Sequence, residues 1–420
     1  MFTTWGALIG LVIAIILIIR KVTPVYALVF GALAGGLLGG GSLLETVSAM
    51  ISGAQSMMPS VLRILTSGIL AGALVKTGSA ERIADSIVAM LGPRFALAAI
   101  ALAAMIVTVV GVFVDIAVIT VAPVALAVGS RAGLPVAALL LAMVGGGKAG
   151  NVISPNPNTI AAADAFKVDL TALMMKNIVP ALCAYVVAVL ISTWLAKRSR
   201  SGGQSDGYTG VQKNAAKDLP NLFAAVAGPV VVVALLALRP VCGIAVDPLI
   251  ALPTGGIVSI IVCGRWKKTA EYCEFGLSKV IGVSVLLIGT GAVAGIVKNS
   301  GLNSDMISLL NACHLPAFAL APLSSVLLSG ATASTTAGVT IASQTFSSAL
   351  LQAGIPALSA AAMLHAGGTI FDALPHGSFF HATAGAVGMS VKERLKLFPY
   401  GTLVGATSTV ASVIVYLFGF

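Results

Sequence analysis

The chain has 420 residues, of which 58% are hydrophobic and only 9% charged, and its mean hydropathy is +1.04. Too little polar surface remains to cover a water-soluble fold, so a soluble globular protein is excluded and lipid is the solvent for most of the chain. The formal net charge of +10 does not signal nucleic acid, because the basic residues are scattered between apolar runs instead of gathered on one face. The first apolar run, 2–19, has no basic residue before it and Arg20 and Lys21 after it. That is the reverse of a cleaved secretory signal, and the run is read as a retained span. A ruler of roughly twenty apolar residues per bilayer crossing gives spans at 3–19, 24–40, 60–76 and 178–196, then at 220–238, 246–264, 277–297 and 400–419. Leu43–Met58 and Ser79–Leu91 mix charged and apolar residues and are read as interfacial helices on the outer and inner faces.

Two apolar stretches do not fit simple spans. The segment 95–130 is interrupted by Gly111 and Asp115, and 316–351 by Gly330 and a Ser/Thr run, so each predicts a re-entrant helical hairpin. The segments 134–166 and 356–388 begin as apolar helices and then break at GGGKAGNVISPNPN and AGGTIFDALPHGSF. Gly and Pro free backbone groups that hydrocarbon cannot satisfy, so these are predicted as discontinuous transmembrane helices whose breaks line protein or a water-filled cavity.

The hydrophilic segment 201–218 divides the chain near its midpoint into 1–200 and 219–420, and it is read as a cytoplasmic linker between repeats. Gly68, Gly72 and Gly78 have counterparts in Gly291, Gly295 and Gly301; AGLP at 132–135 recurs as AGIP at 353–356; and Gly146 and Gly147 match Gly367 and Gly368. Each half then holds three spans, a hairpin that returns to its own side, a broken span and a final span. That odd number of crossings inverts the second half relative to the first. With both termini outside, most Lys and Arg residues fall in inside segments, as the positive-inside rule requires. The fold class expected is therefore an all-α polytopic membrane protein of two inverted-topology repeats, in the inner (plasma) membrane.

Several motifs also carry a family likeness. The opening span ending in IIRKV, the segment GALVKTGSAERIADSIVAMLG, the hairpin GVFVDIAVITVAP, the break ending SPNPNTIAAA, the hairpin LLSGATASTTAG and the closing IFDALPHGSFF resemble the gluconate permease (GntP) family of the ion transporter superfamily, in order and across essentially the whole chain. The resemblance implies a homodimeric elevator, in which a scaffold domain makes the dimer contact and a transport domain of hairpins and broken helices carries a sugar-acid anion with protons. The chain departs from the family where a His-containing PPHPGP stretch occupies the first break. Here the break reads Ser154, Pro155, Asn156, Pro157 and Asn158 after Lys148, which puts gluconate itself in question as the substrate.

Hairpin tips and helix breaks expose helix N-termini, whose unpaired N–H groups and positive dipole ends suit a carboxylate. The first half supplies Asp115, Lys148, Asn151, Ser154, Asn156 and Asn158 as candidate substrate-binding residues. The second half supplies Thr332, Ser334, Thr335, Thr336, Asp372, His376 and Ser378. Lys148 either binds the substrate carboxylate or neutralises Asp115 or Asp372, since both uses relieve the cost of an intramembrane charge. Asp115 is either a proton carrier or an acceptor for hairpin amides, and Asp372 and His376 are either a proton relay or a helix cap. The Ser/Thr run has its own alternative, bonding to the i−4 carbonyl. Asp115, Asp372 and His376 are the candidate coupling-ion groups.

No cofactor is called for. GGGKAG lacks phosphate-loop spacing, and five cysteines without a CxxC pair signal neither a disulfide framework nor a zinc site. The function expected is a symporter for a small organic anion, a sugar acid or related hydroxy acid, coupled to protons. Sodium coupling, a short hydroxy acid such as hydroxybutyrate, or D-serine are the alternatives within that class. A cation/proton antiporter is the alternative outside it, and an enzyme is not expected because no nucleophile with a nearby base is visible.

Overall fold

The computed structural model describes residues 2–201, 219–302, 305, 308, 316–375 and 377–419. Among them every regular element is a helix, apart from one isolated bridge between Phe2 and Ser300. The first group runs α1 (Thr4–Ile19), α2 (Pro24–Leu38), α3 (Leu43–Gln55), α4 (Met58–Lys76) and α5 (Ser79–Leu91). A hairpin of α6 (Ala96–Val109) and α7 (Val114–Ala132) follows, and then α8 (Val136–Asn151), α9 (Pro157–Phe166), the short α10 (Leu170–Lys176) and α11 (Ile178–Ser201). Beyond the linker, which apart from Ser201 lies outside the described residues, come α12 (Leu222–Cys242), α13 (Pro248–Val262) and the long α14 (Thr269–Lys298). A second hairpin, α15 (Leu320–Thr332) and α16 (Thr335–Gln352), leads to α17 (Ala357–Gly367), α18 (Ser378–Ala386) and α19 (Val391–Leu417). The starts of α7, α8, α9 and α10 recur in constant register at the starts of α16, α17, α18 and α19.

Helices in lipid gain no hydrophobic free energy from leaving it, so they associate through close packing of small residues. Gly10 lies against Gly31 and Gly35 between α1 and α2, and Gly53 against Gly291 and Gly295 between α3 and α14. Gly68 and Gly72 of α4 meet Gly276 of α14, where an added Cβ would lie 1.9 Å from the Gly68 carbonyl oxygen. These contacts join α1–α4 with α12–α14 into one group. The second group gathers the hairpins, α8, α9, α17 and α18, with α11 and α19 packed against it. The groups meet along α14 with α16 and along α4 with α9. On that second seam Arg63 of α4 forks onto Asp247, at 3.0 Å and 2.7 Å, and also pairs with Asp164 of α9.

The outer surface carries large exposed apolar side chains, among them Trp5, Tyr26, Leu44, Phe223 and Leu327. That is the pattern of a chain whose solvent is hydrocarbon. Five helices among the described residues are long and apolar enough to cross a membrane, including α4, α11, α14 and α19. The fifth is α7, but it begins at a half-buried turn packed near α18, so its N-terminus ends inside protein. At 30 residues α14 is roughly 45 Å long, well beyond a hydrocarbon core of about 30 Å.

Candidate functional site

Each hairpin and each break owes its geometry to a few residues. At the first tip Gly111 takes a φ of +103°, open to glycine and strained for other residues, and lets the chain reverse into α7. At the second, Ala333 adopts a left-handed φ of +47° and Ser334 caps α16 by accepting from the Ala337 amide. In the first break the Asn156 side chain accepts from the Asn158 and Thr159 amides at 2.9 Å and 3.1 Å, and Pro157 starts α9 where its missing N–H costs nothing. Ser154 donates to the Thr108 carbonyl at 2.7 Å, and Asn156 donates to the Asn151 side-chain oxygen at 2.7 Å. Ser154 and Asn156 thus hold the break open. Thr332 bonds back to the Leu328 carbonyl at 2.8 Å, the local i−4 pattern.

The two tips and two breaks meet at one cavity of about 240 Å³. Phe113, Val114 and Asp115 line it from the start of α7, and Asn151 and Asn158 from the ends of α8 and α9 that face each other. Ser334, Thr335 and Thr336 come from the start of α16, Asp372 from the second break, and Ser378 and Phe379 from the start of α18. Four helix N-termini, those of α7, α9, α16 and α18, therefore open into the same space among the described residues. Each carries roughly half a positive charge, and although side chains cap part of the first turns of α9 and α16, the four aligned dipole ends make the cavity a natural seat for an anion. Hydroxyl and amide side chains around it suit a hydroxylated guest. The Asn158 side-chain oxygen is buried with no partner among the described residues.

Lys148 stands apart from this cavity. It is 2% exposed, its ammonium lies 2.6 Å from an Asp372 carboxylate oxygen, and it donates to the Thr369 carbonyl at 2.6 Å and the Gly401 carbonyl at 3.2 Å. Three oxygens thus surround its three N–H groups. The other Asp372 oxygen accepts from Thr335 at 2.7 Å, which ties the second tip to the second break. Asp115 sits half-buried in the first turn of α7, where it lines the cavity. His376 lies outside the described residues. The sequence reading missed Lys279 and Val283 of α14, which also line the cavity. Lys279 is the eleventh residue of one continuous helix, and only the full length of that helix could have placed it there. No cluster of metal-ligating side chains occurs among the described residues.

An all-helical, lipid-facing fold with a polar cavity among helix ends suits a membrane permease. The whole chain, residues 3–420, matches the model of the GntP family permeases. It belongs to the GntP family and is an integral inner-membrane protein. It is 51% identical, over 98% of this chain and 97% of the relative, to a Haemophilus influenzae protein described as an uncharacterized transporter. A gluconate permease of Zymomonas mobilis is 21% identical over 80% of each chain. The Gnt-II system L-idonate transporter of Escherichia coli is 23% identical over 79% of this chain and 82% of its own. Among solved structures, the YdaH transporter of Alcanivorax borkumensis shares the fold with a TM-score of 0.65 at 16% identity, covering 90% of this chain and 88% of that one.

Proposed function

We propose that the protein imports a small organic anion, a sugar acid such as gluconate or a related hydroxy acid, in symport with protons. The observation that carries this reading is the convergence of four helix N-termini on one polar cavity. Relatives named for gluconate and L-idonate support the substrate class. The register shared by the hairpins and broken helices supports two inverted repeats, and the distribution of Lys and Arg between segments supports both chain termini on the outer face. The separate packing of α1–α4 with α12–α14 supports a scaffold against which the remaining elements move as an elevator, in a homodimer.

Energetics require coupling, because bringing one negative charge into an inside-negative cell costs about 2.3 kcal/mol per 100 mV. One proton per monoanion removes that cost, and Asp115 is the lining carboxyl left without an ion pair among the described residues. Sodium is the second coupling ion to consider, on the strength of the unpartnered Asn158 oxygen, a ligand type suited to a hard cation.

Thermal unfolding of the purified protein against D-gluconate, 3-hydroxybutyrate, D-serine and sorbitol tests the reading. A ligand that binds only the folded form, present at 100 times its Kd, contributes about 2.7 kcal/mol and raises Tm by a few degrees. We expect a hydroxylated carboxylate to do so and neutral sorbitol not to. Stabilisation by cations with no response to any carboxylate would favour a cation/proton antiporter instead.

A further inference from the structure

Resting on the anion-site reading above, we propose that Lys279 of α14, and not Lys148, supplies the cationic contact for the carboxylate of the transported anion. Lys148 is already enclosed by Asp372 and two backbone carbonyls. Recruiting it would strip a buried carboxylate of its counter-charge, a loss that exceeds what one substrate contact returns. Arg394 is buried with its guanidinium 5.4 Å from the Phe380 ring centroid, and it does not line the cavity.

Among the described lining residues Lys279 is the only cation. Its ammonium rests 5.0 Å from the Phe275 ring centroid, it has no carboxylate within ion-pair distance among the described residues, and it lies within electrostatic reach of Asp115. A long flexible stem ending in three donors can swing from an aromatic face to an incoming carboxylate at small cost.

The position of Lys279 in the fold adds a second consequence. Every polar lining residue other than Lys279 comes from a hairpin or a broken helix, whereas Lys279 and Val283 come from α14, which packs on α2, α3 and α4. Movement of the hairpin group along α14 therefore separates the anion from Lys279 while leaving its other contacts in place. The loaded carrier favours the position seen here by the free energy of that contact, and only such a difference between states lets a ligand shift their balance.

Dissociation constants measured on the full-length purified protein, using whichever of D-gluconate, D-glycerate and 3-hydroxybutyrate binds tightest, test the assignment. We expect Lys279→Gln to weaken binding by about tenfold or more, a change of about 1.4 kcal/mol, with Tm of the unliganded protein unchanged because Lys279 is exposed. Lys279→Arg should stay within about threefold of the parent. Asn158→Ala serves as the control for the cavity itself. Parent-like binding by Lys279→Gln together with weakened binding by Asn158→Ala would overturn the role of Lys279 and leave the cavity as the anion site. Parent-like binding by both variants, or no binding of any of the three acids to the parent, would overturn the anion-site reading and this inference with it.

Discussion

Replacing Lys148 with methionine is expected to destabilise the folded protein by up to about 3–5 kcal/mol, because it takes from the buried Asp372 the one cation in contact with it and leaves only the more distant Arg394. Asp372 is only 3% exposed, and beyond the Lys148 ammonium its described side-chain partner is the Thr335 hydroxyl. The same substitution removes the donors to Thr369 and Gly401, carbonyls that belong to the second break and to α19. The double variant Lys148→Met with Asp372→Asn should recover most of the loss, since removing both charges is close to neutral where removing one is not. Thermal unfolding of the two single variants and the double variant in one detergent checks this. A Lys148→Met protein as stable as the parent but weaker in anion binding would instead make Lys148 a direct substrate ligand.

Asp115→Asn is expected to abolish accumulation of the anion while leaving insertion and folding intact. Asp115 is half-buried at the start of α7, lines the cavity and makes no ion pair among the described residues, so its carboxyl can gain and lose a proton as the site changes exposure. Asparagine keeps the shape and loses the proton. Without it a monoanion can only equilibrate with the membrane potential, which holds the inside concentration roughly 50-fold below the outside at 100 mV, from about 2.3 kcal/mol. Uptake into proteoliposomes with imposed pH and potential gradients reads the difference. PH-driven accumulation by Asp115→Asn equal to that of the parent would remove Asp115 from the coupling step.

Much of the helical plan was legible because glycine, proline and polar residues interrupt otherwise apolar runs. Gly111 with Asp115 marked the turn between α6 and α7, the SPNPN stretch marked the start of α9, and the Ser/Thr run marked the start of α16. Two elements escaped for one physical reason, that a hydropathy ruler sees only the lipid-facing part of a helix. The last helix was expected over 400–419 but begins at Val391, where Ser390 and Glu393 form a capping box and a charged turn precedes the apolar run. The helix α14 likewise begins eight residues before the predicted 277, at Thr269, which moves Lys279 from the edge of the predicted span into the body of the helix. The short α10 carries too few apolar residues to register at all.

Within the site, residue type and local spacing were enough for the side chains that act within their own segment. Asn158, Thr335, Thr336 and Ser378 all line the cavity, because a helix start in a break or tip presents its first turn to whatever space the break encloses. The partnership of Lys148 was not legible to the same degree. Charge balance allowed either Asp115 or Asp372, and only the packing of α8 against α19 and the second break decides for Asp372. Ser154 and Asn156 share the composition of ligands, yet their hydrogen bonds to Thr108 and Asn151 are spent inside the break.

Maleimide labelling of a single cysteine at Thr336, in a variant whose native cysteines are replaced by alanine or serine, tests most directly whether a carboxylate occupies the space between the helix ends. Bound sugar acid should slow the reaction there by an amount that tracks its concentration, and leave a cysteine at Ser347, toward the far end of α16, reacting at its unliganded rate. Equal rates at Thr336 with and without any transported acid, or protection confined to Ser347, would contradict the account.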